Sequence, residues 1–250
     1  MKITAAIITY NEEKNIERCI RSLLGIADEV LVVDSFSTDE TSAICSALGV
    51  RFIQNKFEGH IQQKNFAIAQ ATHEYVLSLD ADEALSDELK QSIAEIKNNS
   101  AGNGYKMNRL TNYCGNWVRH CGWYPDTKVR LIKKGLAEWT GVNPHDRLDM
   151  LNGEEAMLLH GDILHYSYYT KEDHYRQIEY FGDIAARELH ARGLTTNGFM
   201  IAAKVIAQFV KSYIIKSGWL DGTTGWNISV RSAYATLRKY SKLKMLKKET

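Results

Sequence analysis

Tyr75-Val76-Leu77-Ser78-Leu79-Asp80-Ala81-Asp82-Glu83 decides how the rest of this chain is read. A short apolar run reads as a buried strand, and it passes directly into three acids within four positions. Carboxylates crowded at the dry end of a strand repel one another. A hard divalent cation relieves that repulsion, because Mg²⁺ or Mn²⁺ takes oxygen ligands and bridges a carboxylate to a diphosphate. An Asp-x-Asp triplet is common by chance, so its surroundings decide what it means.

Upstream, strands and helices alternate. Ile3–Thr9 is a β-branched run, and Glu12–Leu24 carries Ile16, Cys19, Ile20, Leu23 and Leu24 at helical spacing. Glu29–Val33 is a second strand. Thr38–Leu48 reads as a second helix with Ser37 as its cap and Gly49 as its stop. Arg51–Gln54 and His60–Ala71 follow as strand and helix, and after the Tyr75–Leu79 strand Ser86 opens a helix to about Lys97, ended by Asn98-Asn99-Ser100. Such alternation predicts an α/β fold with right-handed crossovers and a mostly parallel central sheet, whose ligands bind beyond the carboxyl ends of the strands. From Gly104 to Ser167 the pattern changes to short strands (Gly104–Leu110, Val129–Ile132, Met157–Leu159), aromatics, and both prolines, Pro125 and Pro144; after Tyr168 it is helical nearly to the end.

Three polar clusters follow strands and so converge on one sheet edge. Thr9-Tyr10-Asn11-Glu12-Glu13 offers side chains and the free N–H groups of a helix start to a nucleotide, or simply caps that helix. Asp34-Ser35-Phe36-Ser37-Thr38-Asp39 places a carboxylate where it can accept a ring N–H or a ribose hydroxyl, although capping explains part of the cluster. Asp80-Ala81-Asp82-Glu83 is the third. Lys64, in the third helix, can reach a phosphate as a point charge, or stand solvated at the surface. There is no G-x-G-x-x-G and no G-x-x-x-x-G-K-[ST], which argues against a dinucleotide-binding Rossmann domain and a P-loop NTPase.

Together, Ile7-Ile8-Thr9-Tyr10-Asn11-Glu12-Glu13, Val32-Val33-Asp34-Ser35-Phe36-Ser37-Thr38-Asp39, Gln63-Lys64-Asn65 and Leu79-Asp80-Ala81-Asp82-Glu83 resemble the motifs of family 2 glycosyltransferases of the GT-A fold, in order and approximate spacing, over roughly residues 2–170. The resemblance implies that Thr9, Asn11, Glu12, Asp34 and Lys64 contact the nucleotide, that Asp80 faces the ribose or diphosphate, and that Asp82 binds Mg²⁺ or Mn²⁺. Ser35 stands where many members carry a second Asp, which rests the base contact on Asp34. Gly122-Trp123-Tyr124-Pro125-Asp126, Val129-Arg130-Leu131-Ile132 and Val142-Asn143-Pro144-His145-Asp146 look like the branch containing lipopolysaccharide-core β-glucosyltransferases, where the last motif usually reads His-Glu. By that likeness Asp146 is the base that deprotonates an acceptor hydroxyl. Trp123 and Tyr124, with Trp117, would form an acceptor platform, and Arg130, with Arg119, would meet acceptor phosphates. His165 resembles a histidine near the metal or diphosphate; a lone His among aromatics is also a common structural residue.

At 250 residues the expected division is a GT-A catalytic domain over 1–170 and a helical extension over 171–250. Charge divides similarly. From Met200 onward there are ten Lys/Arg against two acids, +8, and the preceding residues carry 21 against 28, −7. Phe199–Ile215 sets Ile201, Val205, Phe209 and Tyr213 at helical spacing, and Arg238 to Lys248 holds six bases without an acid. An apolar stripe with lysines suits a helix lying on an anionic membrane; a helical pair packed on the protein, or an oligomer contact, is the alternative. No stretch reaches the ~20 uncharged apolar residues of a spanning helix. A strand-like N-terminus without a secretory signal, and four cysteines lacking ligand spacing, suggest a cytoplasmic enzyme peripheral on the inner face of the membrane.

The expected reaction is an inverting, metal-dependent transfer of a hexose, glucose from UDP-glucose, to a lipopolysaccharide-type or lipid-linked saccharide. A polyprenyl-phosphate sugar transferase is the near rival, since a phosphate acceptor needs no base. A nucleotidyltransferase would begin with a Gly-rich activating loop that Thr9–Glu13 does not supply, and a non-catalytic membrane-bound scaffold would have no reason to keep all the acids.

Overall fold

The computed structural model describes residues 1–99, 102–142 and 145–247, the side chain of His145 excepted; readings that involve Ser100, Asn143, Pro144 and Lys248 lie outside them. In chain order the elements are β1 (Ile3–Thr9), α1 (Ile16–Leu23), β2 (Glu29–Asp34), α2 (Thr41–Ala47), β3 (Arg51–Gln54), α3 (His60–Gln70), β4 (Tyr75–Asp80), β5 (Glu83–Leu85), α4 (Asp87–Asn98), β6 (Gly104–Tyr113), β7 (Asn116–Val118), β8 (Asp126–Lys133), β9 (Ala137–Val142), β10 (His145–Met150), β11 (Met157–Tyr168), α5 (Lys171–Ala191), α6 (Gly198–Val210) and α7 (Gly222–Leu246). They form two compact units: Met1–Arg109 with Asp126–Tyr166, and Leu110–Pro125 with Ser167–Thr250. The second unit thus takes in a segment, Leu110–Pro125, that precedes the helical extension by some forty residues of sequence.

The first unit is built on a mixed sheet. Its β3, β2, β1 and β4 are neighbours in that order and run parallel, and β8 then joins β4 in antiparallel fashion, followed by β6, β11 and β5. Successive side chains point to opposite faces, and both faces of β1 are covered. Ile3, Ala5 and Ile7 join Ile16, Ile20, Leu77, Leu89 and Ile93 in one core, while Ala6 joins Leu31, Val33, Ala67, Val76 and Trp139 in the other. This double coverage is why the strands read as continuous apolar runs. It is the α/β sheet expected of a GT-A fold, with the parallel strands on its N-terminal side and helices α5 to α7 in the C-terminal region. β9 and β10 form a separate antiparallel pair in which Asp146 lies opposite Gly141.

Several boundaries differ from the sequence expectation. α1 begins at Ile16 rather than Glu12, because Asn11 takes a left-handed conformation (φ 54°) and the next residues make a turn. α2 begins at Thr41 rather than Thr38, because Ser37 bonds back to Asp34 and does not cap a helix. Ser86 does cap α4, its side chain accepting from Leu89 N. β11 runs 12 residues where three were expected, passing a bend at Gly161 (φ +96°) that interrupts the apolar pattern.

In the second unit, β7 pairs with Thr111–Tyr113 of β6, and Tyr113, Val118, Cys121 and Ile228 form a small core. Thr170 opens α5 with a capping box closed by Asp173. α7 packs on α5 and α6. α6 continues through a π-helical turn, Lys211–Ile215, giving an 18-residue helix, Gly198–Ile215, of mean hydropathy 1.4 that is only 11% buried. By length and composition alone it passes a loose test for a crossing helix, although its 18 residues include Lys204 and Lys211 and so fall short of the ~20 uncharged apolar residues sought in the sequence.

Candidate active site

Strand register brings the sequence clusters of the first unit together. Thr9 stands beside Asp34 across β1 and β2, and Ile8 beside Asp80 across β1 and β4, so both carboxylates emerge at the same carboxyl edge. The loops that follow are tied to each other. Asn11 Oδ1 accepts from Thr38 N (2.8 Å), Asn11 N donates to Ser37 Oγ (2.8 Å), and Glu12 N donates to Thr41 Oγ1 (2.9 Å).

Asp34 is fully buried and organises this edge: it accepts from Ser37 N at 2.9 Å and from the Ser37 hydroxyl, with Gln54 Nε2 3.4 Å away. Ser35 Oγ accepts from Gln63 Nε2 at 3.0 Å. Thr9 Oγ1 lies nearby, buried and without a hydrogen-bond partner. Burial pushes the Glu12 carboxyl up to about 6; its bond from Asn15 (2.7 Å) opposes this, and the negative charges of Asp82, Asp39 and Asp80 add to it.

Below the edge is a buried array of charges. Lys64, 4% exposed, lies 2.7 Å from Asp146 Oδ2 and 3.0 Å from Asp80 Oδ1, with its ammonium 4.2 Å from the Trp139 ring. Asp146 reaches it because α3 is stitched to β9: Asn65 Nδ2 donates to Trp139 O (2.9 Å) and Trp139 N donates to Asn65 Oδ1 (3.0 Å). β10, paired with β9, then carries Asp146 to the lysine. Arg130, 2% exposed, donates from Nη2 to Glu83 (2.7 Å), stands 3.5 Å from Asp80, and keeps Nε and Nη1 buried without partners. Glu83 also accepts from Asp80 N (3.0 Å), which fixes the turn that aims Asp80 and Asp82. Burial alone would raise the Asp80 carboxyl, but Lys64 and Arg130 outweigh it and hold it well below the usual carboxylate range.

Asp82 faces His165, whose Nε2 is 3.1 Å from Asp82 Oδ2, and Tyr166 N donates to Asp82 O (2.9 Å). Burial disfavours a charged His165, yet the Asp82 carboxylate overcomes this and the imidazole is raised above its ordinary value. Among the described residues no three His, Cys, Asp or Glu converge into a ready cage for a metal. Asp82 and His165 supply two donors, a set that fits a divalent cation completed by diphosphate oxygens.

The structure therefore gathers Thr9, Asn11, Glu12, Asp34, Lys64, Asp80, Asp82, Arg130, Asp146 and His165 in one unit. Trp123 and Tyr124 belong to the other. There the Trp123 ring packs 5.9 Å from Tyr113, 5.8 Å from Tyr168 and 5.7 Å from His174, and the Arg119 guanidinium lies 5.5 Å from the Tyr124 ring. Arg130, read from the sequence as an acceptor contact, is sunk beneath the carboxylates. Glu83 and Asn65 lie inside sequence motifs that gave them no role of their own, and Trp139 lies in none.

The model of the family described as glycosyl transferase family 2 matches residues 4–142, more than half of the chain. The chain belongs to that family. A Rickettsia typhi protein, the uncharacterized glycosyltransferase RT0209, is 31% identical over 256 residues, covering 98% of this chain and 87% of the relative. The lipopolysaccharide core biosynthesis glycosyltransferase LpsC of Rhizobium meliloti is 24% identical over 238 residues, 90% of this chain and 86% of that one. Among solved structures, S. aureus TarS 1–349 aligns over all of this chain and 91% of its own, at 16% identity and a TM-score of 0.47. Glucosyl-3-phosphoglycerate synthase from Mycobacterium tuberculosis, solved with Mg²⁺ and UDP, aligns over 44% of either chain at 20% identity and a TM-score of 0.38. Family membership makes the sheet edge of Asp34, Asp80 and Asp82 the place to look for donor chemistry.

Proposed function

We propose that this family 2 glycosyltransferase moves a hexose from a nucleotide-diphospho-sugar, UDP-glucose, to a hydroxyl of a lipopolysaccharide-type or lipid-linked saccharide, with inversion. The observation that carries the reading is the clamp of Lys64 between Asp80 and Asp146, at the edge where Thr9 and Asp34 end their strands. It holds a donor-side carboxylate and a candidate base on one ammonium. The name of the relative LpsC supports the acceptor class.

In this reading Thr9, whose hydroxyl is unsatisfied, and the Asn11–Glu12 turn receive the nucleotide, and Asp34 holds the loop that shapes its pocket. Asp82 and His165 would hold Mg²⁺ or Mn²⁺, and a bound ion would supply a Lewis acid for the departing diphosphate. Asp80 faces the ribose or diphosphate. Asp146 takes the proton of the acceptor hydroxyl as its oxygen bonds to the anomeric carbon; the bond to the diphosphate breaks on the opposite face and its electron pair leaves with the nucleotide. Lys64 and Arg130 keep Asp80 ionised while their buried charges face the site. Four unpaired thiols support a reducing, cytoplasmic setting.

Purified protein with UDP-glucose and Mn²⁺ is expected to release UDP, and Asp82→Asn to lose metal-stimulated turnover. Asp146→Asn is expected to lower kcat at least a hundredfold while donor binding, read by calorimetry, changes little. A folded protein that binds no nucleotide-sugar in either metal would refute the donor assignment. An Asp146→Asn enzyme of undiminished rate would instead favour an acceptor that is already anionic, such as a lipid phosphate.

A further inference from the structure

The helix Gly198–Ile215 is only 11% buried despite its apolar composition, so it presents a greasy side that the second unit does not cover. Its inward stripe is Ile201, Val205 and Ser212 against α7; its outward stripe is Phe199, Ala203, Ile206, Val210 and Ile214 at helical spacing. Phe199 is 84% exposed, Ile206 63% and Ile215 69%. Beyond the π-helical turn the apolar surface continues in Trp219 and Leu220, both more than half exposed, on a 3₁₀ turn (Gly218–Asp221). Trp226, half exposed, packs edge-on 5.3 Å from Phe209 and Tyr213, which stiffens the base of this face.

The charge pattern identifies what covers it. Residues 198–220 contain three lysines, Lys204, Lys211 and Lys216, and no acid. Lys204 and Lys211 are two turns apart, so both flank the outward stripe on one side, and all three lysines are exposed. The next acid, Asp221, is occupied by His120, which it meets at 2.7 Å. Along α7, Lys239, Lys242 and Lys244 add further positive charge, while Arg238 is paired with Glu179.

We propose that this face docks on an anionic lipid surface, with Phe199, Ile206, Ile214, Ile215, Trp219 and Leu220 entering the headgroup region and the lysines reaching lipid phosphates. A helix of this length measures about 27 Å, short of a hydrocarbon core of about 30 Å, and lysines in mid-helix are strongly disfavoured at its centre. The helix therefore lies along the interface, where lysine stems can extend to headgroups. A second copy of the chain is the poorer occupant, because an antiparallel two-fold contact on this stripe would bring the lysine rows of both copies together. The assignment does not depend on the glycosyl-transfer reading, since it needs neither donor nor acceptor.

Full-length protein is mixed with vesicles of phosphatidylcholine alone or with 3:7 phosphatidylglycerol:phosphatidylcholine, at low and high NaCl, and bound protein is measured by flotation. We expect binding to the anionic vesicles at low salt, a blue shift of tryptophan emission, and release at high salt. The variant Phe199→Ser/Ile206→Ser/Ile214→Ser should lose binding at least tenfold, and Lys204→Gln/Lys211→Gln on the order of tenfold. All these side chains but Lys204, which lies over Tyr240, are solvent-facing, and an unchanged far-UV spectrum verifies folding. No binding to anionic vesicles at low salt overturns the proposal. So does a wild-type dimer in sedimentation that the triple variant converts to monomer while vesicle binding persists.

Discussion

Arg130 is the residue on which the charge array depends. Its Nη2 is the 2.7 Å partner of a Glu83 carboxylate with no exposed surface, and Glu83 in turn fixes the Asp80 backbone. Replacing it with methionine would leave that carboxylate buried and without its closest partner, a change that costs about 3–5 kcal/mol. Arg130→Met should therefore lower the urea midpoint sharply, and Arg130→Met/Glu83→Gln should recover most of the loss; a double variant no more stable than the single one would contradict the pairing. None of this was legible locally. The acids of residues 80–83 announced themselves by crowding, and Lys64 by its place in a motif, but Arg130 and Glu83 are 47 residues apart and Lys64 and Asp146 are 82 apart. Only the fold makes them neighbours, which is why Arg130 read as a free phosphate contact.

At the scale of elements, two close approaches fix where segments cross. The α7 backbone at Gly225 passes so near the 3₁₀ turn that a Cβ there would sit 1.7 Å from Gly218 O, and a Cβ on Gly218 would meet Cys121 Sγ at 2.8 Å. Gly225→Ala must push the helix and the turn apart, and we expect a loss of at least about 3 kcal/mol, read as a fall in Tm. Gly193→Ala is the informative control: its φ of +72° at the end of α5 costs something, but a Cβ meets no atom within 4 Å, so the effect should stay near 1 kcal/mol by the penalty for a left-handed residue. The parallel strands β1, β2 and β4 were readable because both faces are buried and their sequences are unbroken. β9, β10 and most of β11 were not. β9 and β10 form a two-stranded pair with one face partly open, and the bend at Gly161 fits against Leu89, 2.2 Å from where a Cβ would lie, for reasons set by α4 and not by the strand itself.

For the molecule as a whole, acid should act on the two units through different groups. In the helical unit, burial and then the charge of Arg231 push His174 down to about 4, and it contacts the Tyr113 hydroxyl at 3.3 Å. Its folded value lies below the unfolded 6.5, so between these the unfolded chain binds a proton that the folded one refuses. Stability is then lost as pH falls from about 6.5 to about 4, by at most about 3 kcal/mol, and levels off below. In the sheet unit, burial would raise Glu29, but bonds from Thr4 (2.6 Å), Thr72 (2.9 Å) and Arg51 (3.0 Å) hold it down to about 2. A lowered carboxylate works lower on the scale: its contribution is complete above 4.5 and disappears only between there and about 2. Glu12, held up to about 6, works the other way, adding stability as pH falls from about 6 to 4.5 in wild type and variant alike. Between pH 7 and 4.5 the urea midpoint should therefore hold up better in His174→Phe, which keeps a ring in the cluster but cannot titrate, than in the wild type. Glu29→Gln should leave that upper limb parallel to wild type and flatten only the decline below pH 4.5. An equal slope in His174→Phe and wild type would show that acid weakens the protein through some other group.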